Sequence, residues 1–335
     1  MAKSEVVQEN RGLSSRLPWQ FAPWQKLTEL HGEDRLPHAL LLVGHSGVGA
    51  ENFALAFAEY LLCAAPSAGG ACGECSGCAL NEAGSHPDLK ILSPEKPGGQ
   101  IKIDSVRAVI QFGHETAQQG GYRVIIVKPA EAMNHFAANS LLKLLEEPGH
   151  KTVILLQTAV PGALLATIRS RCQWVRLPPP PIEDARSWLA ALLAPSAPID
   201  ALLDAANGMP LLALDMHESG TADVQRQIKQ GLESLILGRA DPLALASQWQ
   251  SHGVVAVLDV VYFWLVDVLG SLYGGQGKLD PKFQSWLAAR VLRSQLFGLQ
   301  QDVVSLRRRL LSGNNPNGQL LLESLLSDLR ACVSR

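Results

Sequence analysis

Four cysteines fall within sixteen positions of a 335-residue chain, at Cys63, Cys72, Cys75 and Cys78. The last three are spaced C-x2-C-x2-C, and two-residue gaps let the backbone curl until neighbouring thiolates face one ion. Zinc takes four tetrahedral ligands, so four cysteines make a closed structural site with no open position for water. Gly69, Gly70, Gly73 and Gly77 are expected to supply the tight turns that such a curl requires. Free or redox-active thiols and an iron–sulfur cluster are the other readings of this spacing. His86 lies close by and reads as a loop histidine rather than a ligand. Cys172 and Cys332 stand alone. Clustering of this kind points to a metal, whereas a disulfide scaffold would spread its cysteines through a short secreted chain.

A second group of residues points to phosphate chemistry without completing it. In "LLVGHSGVGAEN", residues 41–52, an apolar strand runs through a glycine-rich turn into a helix. The phosphate-binding pattern G-x-x-x-x-G-K-[ST] would put lysine at position 50 and a hydroxyl at 51. Gly44 and Gly49 keep the spacing, but Ala50 and Glu51 follow. A working site also needs a carboxylate at the end of a later strand to hold magnesium. The later strand "YRVIIV" ends instead in Lys128 and Pro129, with Glu131 opening the next turn. Each missing group would have met transition-state charge, so their joint loss points to a turn that is structural and catalytically dead.

These residues must be positioned by ordered elements, and the chain supplies them. It has 47% hydrophobic and 18% charged residues with a formal net charge of −2. That composition is globular, and no global basic field points to nucleic acid. The N-terminus has no apolar signal region. The apolar stretch 253–273 is interrupted by Asp259 and Asp267 and reads as a buried core helix rather than a membrane span. A cytoplasmic chain is expected. Strand candidates at 39–43, 88–92, 122–127, 152–157 and 173–177 alternate with helical stretches, which predicts a mainly parallel sheet covered on both faces. Four prolines, Pro178 to Pro181, then form a stiff connector. Only helical patterns follow. The expected domains are 1–178 (α/β, with the metal module inserted at about 63–78), 179–219 (small helical) and 220–335 (larger helical). The polarity of residues 1–17 suggests a mobile tail.

"HALLLVGHSGVG", the cysteine cluster, "GSHPDLKIL", "NSLLKLLEEP" and "LLATIRSRCQWVRLPPP" occur in this order over about residues 36–181. Together they closely resemble the delta-prime family of bacterial DNA polymerase III clamp-loader subunits, within the AAA+ proteins. The resemblance implies an AAA+ module, a helical lid and a C-terminal helical collar that builds a five-subunit ring. It implies as partners the gamma/tau ATPase subunits and the delta subunit, and through the assembly the sliding clamp and primer–template DNA. Active relatives carry lysine, aspartate and glutamate where this chain has Ala50, Lys128 and Pro129, and a nucleotide-sensing arginine where it has Leu211. No functional ATP or magnesium site is therefore expected. What survives is Ser170-Arg171-Cys172, whose arginine in clamp loaders enters the neighbouring subunit's ATP site. A guanidinium supplied in trans offers fixed donors to the transferring phosphoryl group. Thr158 matches a first sensor position and reads here as a residual strand-end threonine, while Arg169 and Arg176 are expected to serve local ion pairs or interfaces.

The implied function is a non-hydrolysing clamp-loader subunit acting at the nucleoid-associated replisome. One alternative is an autonomous ATPase using Lys128 in place of the loop lysine. Another is a zinc-dependent DNA-binding module, which the absence of a flanking basic and aromatic stripe disfavours.

Overall fold

Runs such as "ALLLV" and "RVIIV" are apolar at every position, or nearly so, the pattern of strands covered on both faces. The computed structural model of the chain describes residues 16–96, 98–274, 279–311 and 317–333. It divides into two compact units, 1–215 and 216–335.

The first unit contains α1 (Phe21–Gly32), β1 (Ala39–Val43), α2 (Ala50–Leu62), α3 (Ser76–Glu82), β2 (Leu89–Leu92), α4 (Ile103–His114) and β3 (Arg123–Val127). There follow α5 (His135–Glu146), β4 (Thr152–Thr158), α6 (Ala166–Arg169), β5 (Gln173–Arg176), α7 (Ile182–Leu192), α8 (Ile199–Ala205) and the start of α9 (Pro210–Ser219), within which the boundary falls. The five strands form a parallel sheet in the order β2-β3-β4-β1-β5. Alternation of side chains divides the core in two. Leu40, Leu42, Val124, Ile126, Val153 and Leu155 pack with Trp24, Leu27, Phe53 and Phe57 of α1 and α2. Leu41, Ile125, Val127, Ile154 and Leu156 face the other way, onto Val106 and Val109 of α4, Leu141 and Leu144 of α5, and Ile168 of α6. The fold class is as expected, a parallel α/β sheet covered by helices. β1, an inner strand between β4 and β5, delivers the glycine turn at the carboxyl edge of the sheet, where open α/β sheets place their ligands.

Strand ends shift by a residue where side chains have other work. Asp88, expected in β2, precedes it because its carboxylate accepts the N–H groups of Gln118 (2.8 Å) and Gln119 (2.9 Å). Facing it, Arg123 Nε lies 3.6 Å from Asp88 Oδ1, and both side chains are fully buried. Arg123 also donates to the carbonyls of Phe112 (2.7 Å) and Thr116 (2.6 Å), so this pair pins the connection from α4 to β3.

The second unit is helical, as expected: α10 (Thr221–Ile236), α11 (Pro242–Trp249), α12 (Val254–Leu272), α13 (Pro281–Arg290), α14 (Arg293–Leu311) and α15 (Gly318–Ala331). By length and composition α12 could cross a membrane. Its Val257, Leu258, Val261, Trp264, Leu265 and Val268 instead form the centre of this unit's core. Asp259, one of its two interrupting acids, pairs with Arg307 of α14.

Candidate functional site

The glycine turn after β1 adopts the left-handed backbone that favours glycine, at Gly47 (φ +86°) and Gly49 (φ +84°). Gly44 is kept for space, since a Cβ there would lie 2.6 Å from Val48 Cγ1. The chain's own N-terminal segment closes on this turn. Trp19 Nε1 donates to the Val48 carbonyl at 2.9 Å, and Gln20 Nε2 donates to the carbonyls of Val48 (3.1 Å) and Gly49 (2.7 Å). Gln20 is itself held by the Leu17 N–H, 2.9 Å from its Oε1. A Cβ at Gly49 would stand 2.2 Å from Leu17 and 3.1 Å from Leu211. The Leu211 N–H donates to the Gly47 carbonyl at 3.3 Å. Leu211, at the position of the expected sensing arginine, is thus an apolar cap on the turn. Leu17 is 7% exposed and belongs to the core, which corrects the expectation of a mobile tail through residue 17; residues 1–15 lie outside the described residues.

Two departures from the nucleotide-binding pattern prove to be one feature. Lys128, beyond the end of β3, donates to the carboxylate of Glu51 in the first turn of α2. Opposite charges at positions 77 residues apart therefore satisfy each other across the site. Glu131 lies in a 3₁₀ turn and accepts the Ala159 N–H at 3.3 Å. Thr158 is buried at the end of β4, where its Oγ1 accepts the Val160 N–H at 3.1 Å. Its hydroxyl serves the local turn.

The cysteines meet as one group. Cys63 caps the C-terminus of α2 and Cys75 the N-terminus of α3. The Sγ atoms are 3.5 Å (Cys75–Cys78), 3.7 Å (Cys63–Cys78), 3.8 Å (Cys72–Cys78) and 3.9 Å (Cys63–Cys75) apart. Four sulfurs placed tetrahedrally at about 2.3 Å from one ion stand about 3.8 Å from each other. The cluster therefore fits a single four-coordinate ion and is compatible with structural zinc. A multi-iron cluster would hold its thiolates further apart. N–H groups of Ala64 and Cys78 bring the Cys75 thiol down to about 6, and those of Glu74 and Cys75 lower Cys72. Burial raises Cys63, and pushes Cys78 up to about 12. Of the four glycines, Gly70 (φ +139°) and Gly73 (φ +82°) take the positive φ expected of tight turns. Gly77 does not; it lies in α3, where a Cβ would strike the Leu62 carbonyl at 2.5 Å, so its role is close packing of α3 on α2. His86 stands outside the cysteine group, with Nδ1 accepting the Asp88 N–H at 3.1 Å.

This arrangement makes a measurable prediction. Purified chain should carry one zinc, and acidification should release it, because protons compete with the metal for the same thiolates. The chelated protein should show faster amide exchange over residues 63–82 than in the strands. Full retention of exchange protection in chelated, metal-free protein would contradict the prediction.

Arg171 sits after α6 on a backbone anchored by buried Ile168 and Cys172. Its Nε lies 2.9 Å and its Nη2 2.6 Å from Glu146 Oε1, while Nη1 donates to the Thr167 carbonyl at 3.0 Å. The side chain is 35% exposed. Ser170 Oγ donates to the Thr167 carbonyl at 3.2 Å, and burial pushes the Cys172 thiol up to about 12. Arg169 and Arg176, expected to serve local ion pairs or interfaces, form no ion pair among the described residues. The residues missed in the sequence are Trp19, Gln20 and Glu146. Two tryptophans in the stretch "LPWQFAPW" signalled that this segment is packed.

A glycine turn leaving an inner strand of a β2-β3-β4-β1-β5 parallel sheet, followed by helical elements, is the frame of an α/β nucleotide-binding type of module. Residues 19–181 match the family described as DNA polymerase III, delta subunit, and residues 225–331 match its C-terminal counterpart. The DNA polymerase III subunit delta' of Pseudomonas aeruginosa is 37% identical over 316 residues, covering 92% of this chain and 95% of that one. The Escherichia coli (strain K12) protein of the same name is 34% identical, covering 92% and 93%. That of Bacillus subtilis is 40% identical over 157 residues, covering 45% and 46%. The chain belongs to the DNA polymerase III subunit delta' family.

Proposed function

We propose that this chain is a non-hydrolysing clamp-loader subunit, built to assemble with ATPase subunits rather than to turn over nucleotide. The observation that carries the reading is the Glu51–Lys128 ion pair together with the N-terminal segment seated on the glycine turn. A phosphoryl site needs free backbone donors, an unpaired cation and a metal-binding carboxylate. Here Lys128 is engaged by Glu51, and Leu17, Gln20 and Leu211 crowd Gly49. The engaged lysine also argues against an autonomous ATPase that would use Lys128 as its phosphate cation.

In this reading the chain comprises an AAA+ module (1–178), a lid (179–219) and a collar (220–335). The collar brings it into a ring with gamma/tau and delta subunits, which loads the sliding clamp on primer–template DNA in the bacterial cytoplasm. The four cysteines hold a structural zinc. Arg171 supplies charge to the ATP site of an adjoining subunit.

The test is assembly with candidate ATPase and delta partners, followed by nucleotide titration of the isolated chain. The expected result is a stable complex in size-exclusion chromatography, and no heat of binding for magnesium-ATP up to millimolar concentration. Saturable binding with magnesium-dependent turnover, abolished by Lys128→Ala, would favour the autonomous ATPase.

A further inference from the structure

The partner of Arg171 is not an incidental surface acid. We infer that Glu146 is a positioning residue for the trans-acting arginine, holding its guanidinium by one edge and leaving the other edge to a phosphoryl group. The inference rests on the reading of Arg171 as the residue that enters a neighbour's ATP site.

The geometry separates the two edges. Nε and Nη2 both approach Glu146 Oε1, at 2.9 and 2.6 Å, which is the side of the guanidinium nearest its own stem. Nη1 donates to the Thr167 carbonyl at 3.0 Å. A guanidinium carries five N–H donors in a rigid plane. Nε and Nη1 donate hydrogen bonds and Nη2 makes the ion-pair contact, so each terminal nitrogen keeps at least one N–H beyond these contacts. Two parallel N–H groups of this kind match two oxygens of a phosphoryl group.

Both ends of the contact stand on fixed backbone. Glu146 is the last residue of α5, directly after Leu144 and Leu145, which are 0% and 2% exposed. His38 Nε2 lies 2.9 Å from the Leu145 carbonyl, tying that last turn to the start of β1. Beyond it, Gly149 approaches Gly113 so closely that a Cβ would lie 2.2 Å from the Gly113 carbonyl. On the other side, Ile168 is 0% and Cys172 7% exposed. A long side chain at 35% exposure would otherwise sample many rotamers, and its fork would reach a neighbour's phosphate only part of the time. An exposed ion pair contributes little to stability, so this one is better explained by aim than by folding.

The experiment uses reconstituted rings in which only the ATPase subunit beside this chain retains its loop lysine. Steady-state ATP hydrolysis is measured for Glu146→Gln, Glu146→Ala, Arg171→Ala and the Glu146→Ala/Arg171→Ala pair. Glutamine keeps an acceptor for the Nε–H, whereas alanine keeps nothing. Glu146→Ala should lower kcat on the order of 10-fold, short of the roughly 10²-fold that a full 1 Å misplacement can cost, with KM for ATP and the melting temperature unchanged. Glu146→Gln should fall between alanine and the parent, and Glu146→Ala should have no further effect once Arg171 is alanine. Unchanged or raised kcat in both Glu146 variants, with Arg171→Ala strongly impaired, would overturn the positioning role and leave the arginine reading intact. A Glu146→Ala loss that persists undiminished in the Arg171→Ala background would overturn it too. Unimpaired hydrolysis with Arg171→Ala would remove the reading on which it rests.

Discussion

Arg171→Ala is expected to slow ATP hydrolysis at the site beside this chain by on the order of 10³-fold, the lower end of what a trans-acting arginine contributes elsewhere. That corresponds to about 4 kcal/mol of transition-state stabilisation. The size follows from what the residue would do: bring a full positive charge, with its donors already oriented, to oxygens on which negative charge accumulates. Lysine should not substitute, because an ammonium offers no planar fork and cannot be held at one edge while donating from the other. Arg171→Lys should therefore recover little of the loss. Stability should hardly change in either variant, since the Arg171–Glu146 pair is exposed on both sides, at 35% and 51%. The measurement is single-turnover hydrolysis in rings with one competent ATP site, beside the melting temperature of each variant. A loss smaller than about threefold would mean that Arg171 is only a surface ion pair.

The second large effect concerns folding and lies far from any chemistry. Arg123→Ala should destabilise the sheet-containing unit by about 3–5 kcal/mol, because it leaves the Asp88 carboxylate buried without its cation. Asp88 is 0% and Arg123 1% exposed, so water cannot replace either partner. The arginine also fills two carbonyls and stacks on the Phe112 ring, with Cζ 4.4 Å from the centroid. Asp88→Ala should cost less, since it strands the N–H groups of Gln118 and Gln119 while the guanidinium keeps Glu115 Oε2 at 3.1 Å and its two carbonyls. The double variant should lose less than the sum of the two, because neither then leaves an unpaired charge. Denaturant unfolding followed by sheet-unit tryptophan fluorescence and circular dichroism reads this directly. Additive losses would show that the two residues act separately.

What the local sequence can announce follows from the range of the interactions. The strands at 39–43, 122–127 and 152–157 are legible because both faces of the sheet are covered, which leaves a continuous apolar signature in the local sequence. The cysteine cluster is legible because its ligands lie close in the chain. Arg171 is marked by its tripeptide and the family resemblance, but Glu146 is not, because "LLEEP" reads only as the end of a helix. The Asp88–Arg123 pair is invisible, since nothing in "HPDL" or "YRVI" announces that two charged residues 35 positions apart share a dry interior. The N-terminal segment misleads for a related reason. Its polar composition suggests a tail, yet Gln20 is buried because its amide satisfies carbonyls of a turn 28 and 29 residues away. Glu51 and Lys128 each stand out in the sequence as departures. Their reversed signs are the clue that they compensate one another.

That reversed pair also ties the two positions to each other. Restoring a hydroxyl at position 51 alone would leave Lys128 facing no carboxylate, and restoring an acid at position 128 alone would set it against Glu51. Neither single substitution supplies a cation at position 50, and Leu211 still caps the turn. The two charges are therefore coupled: either one can change without leaving an unmatched partner only if the other changes with it.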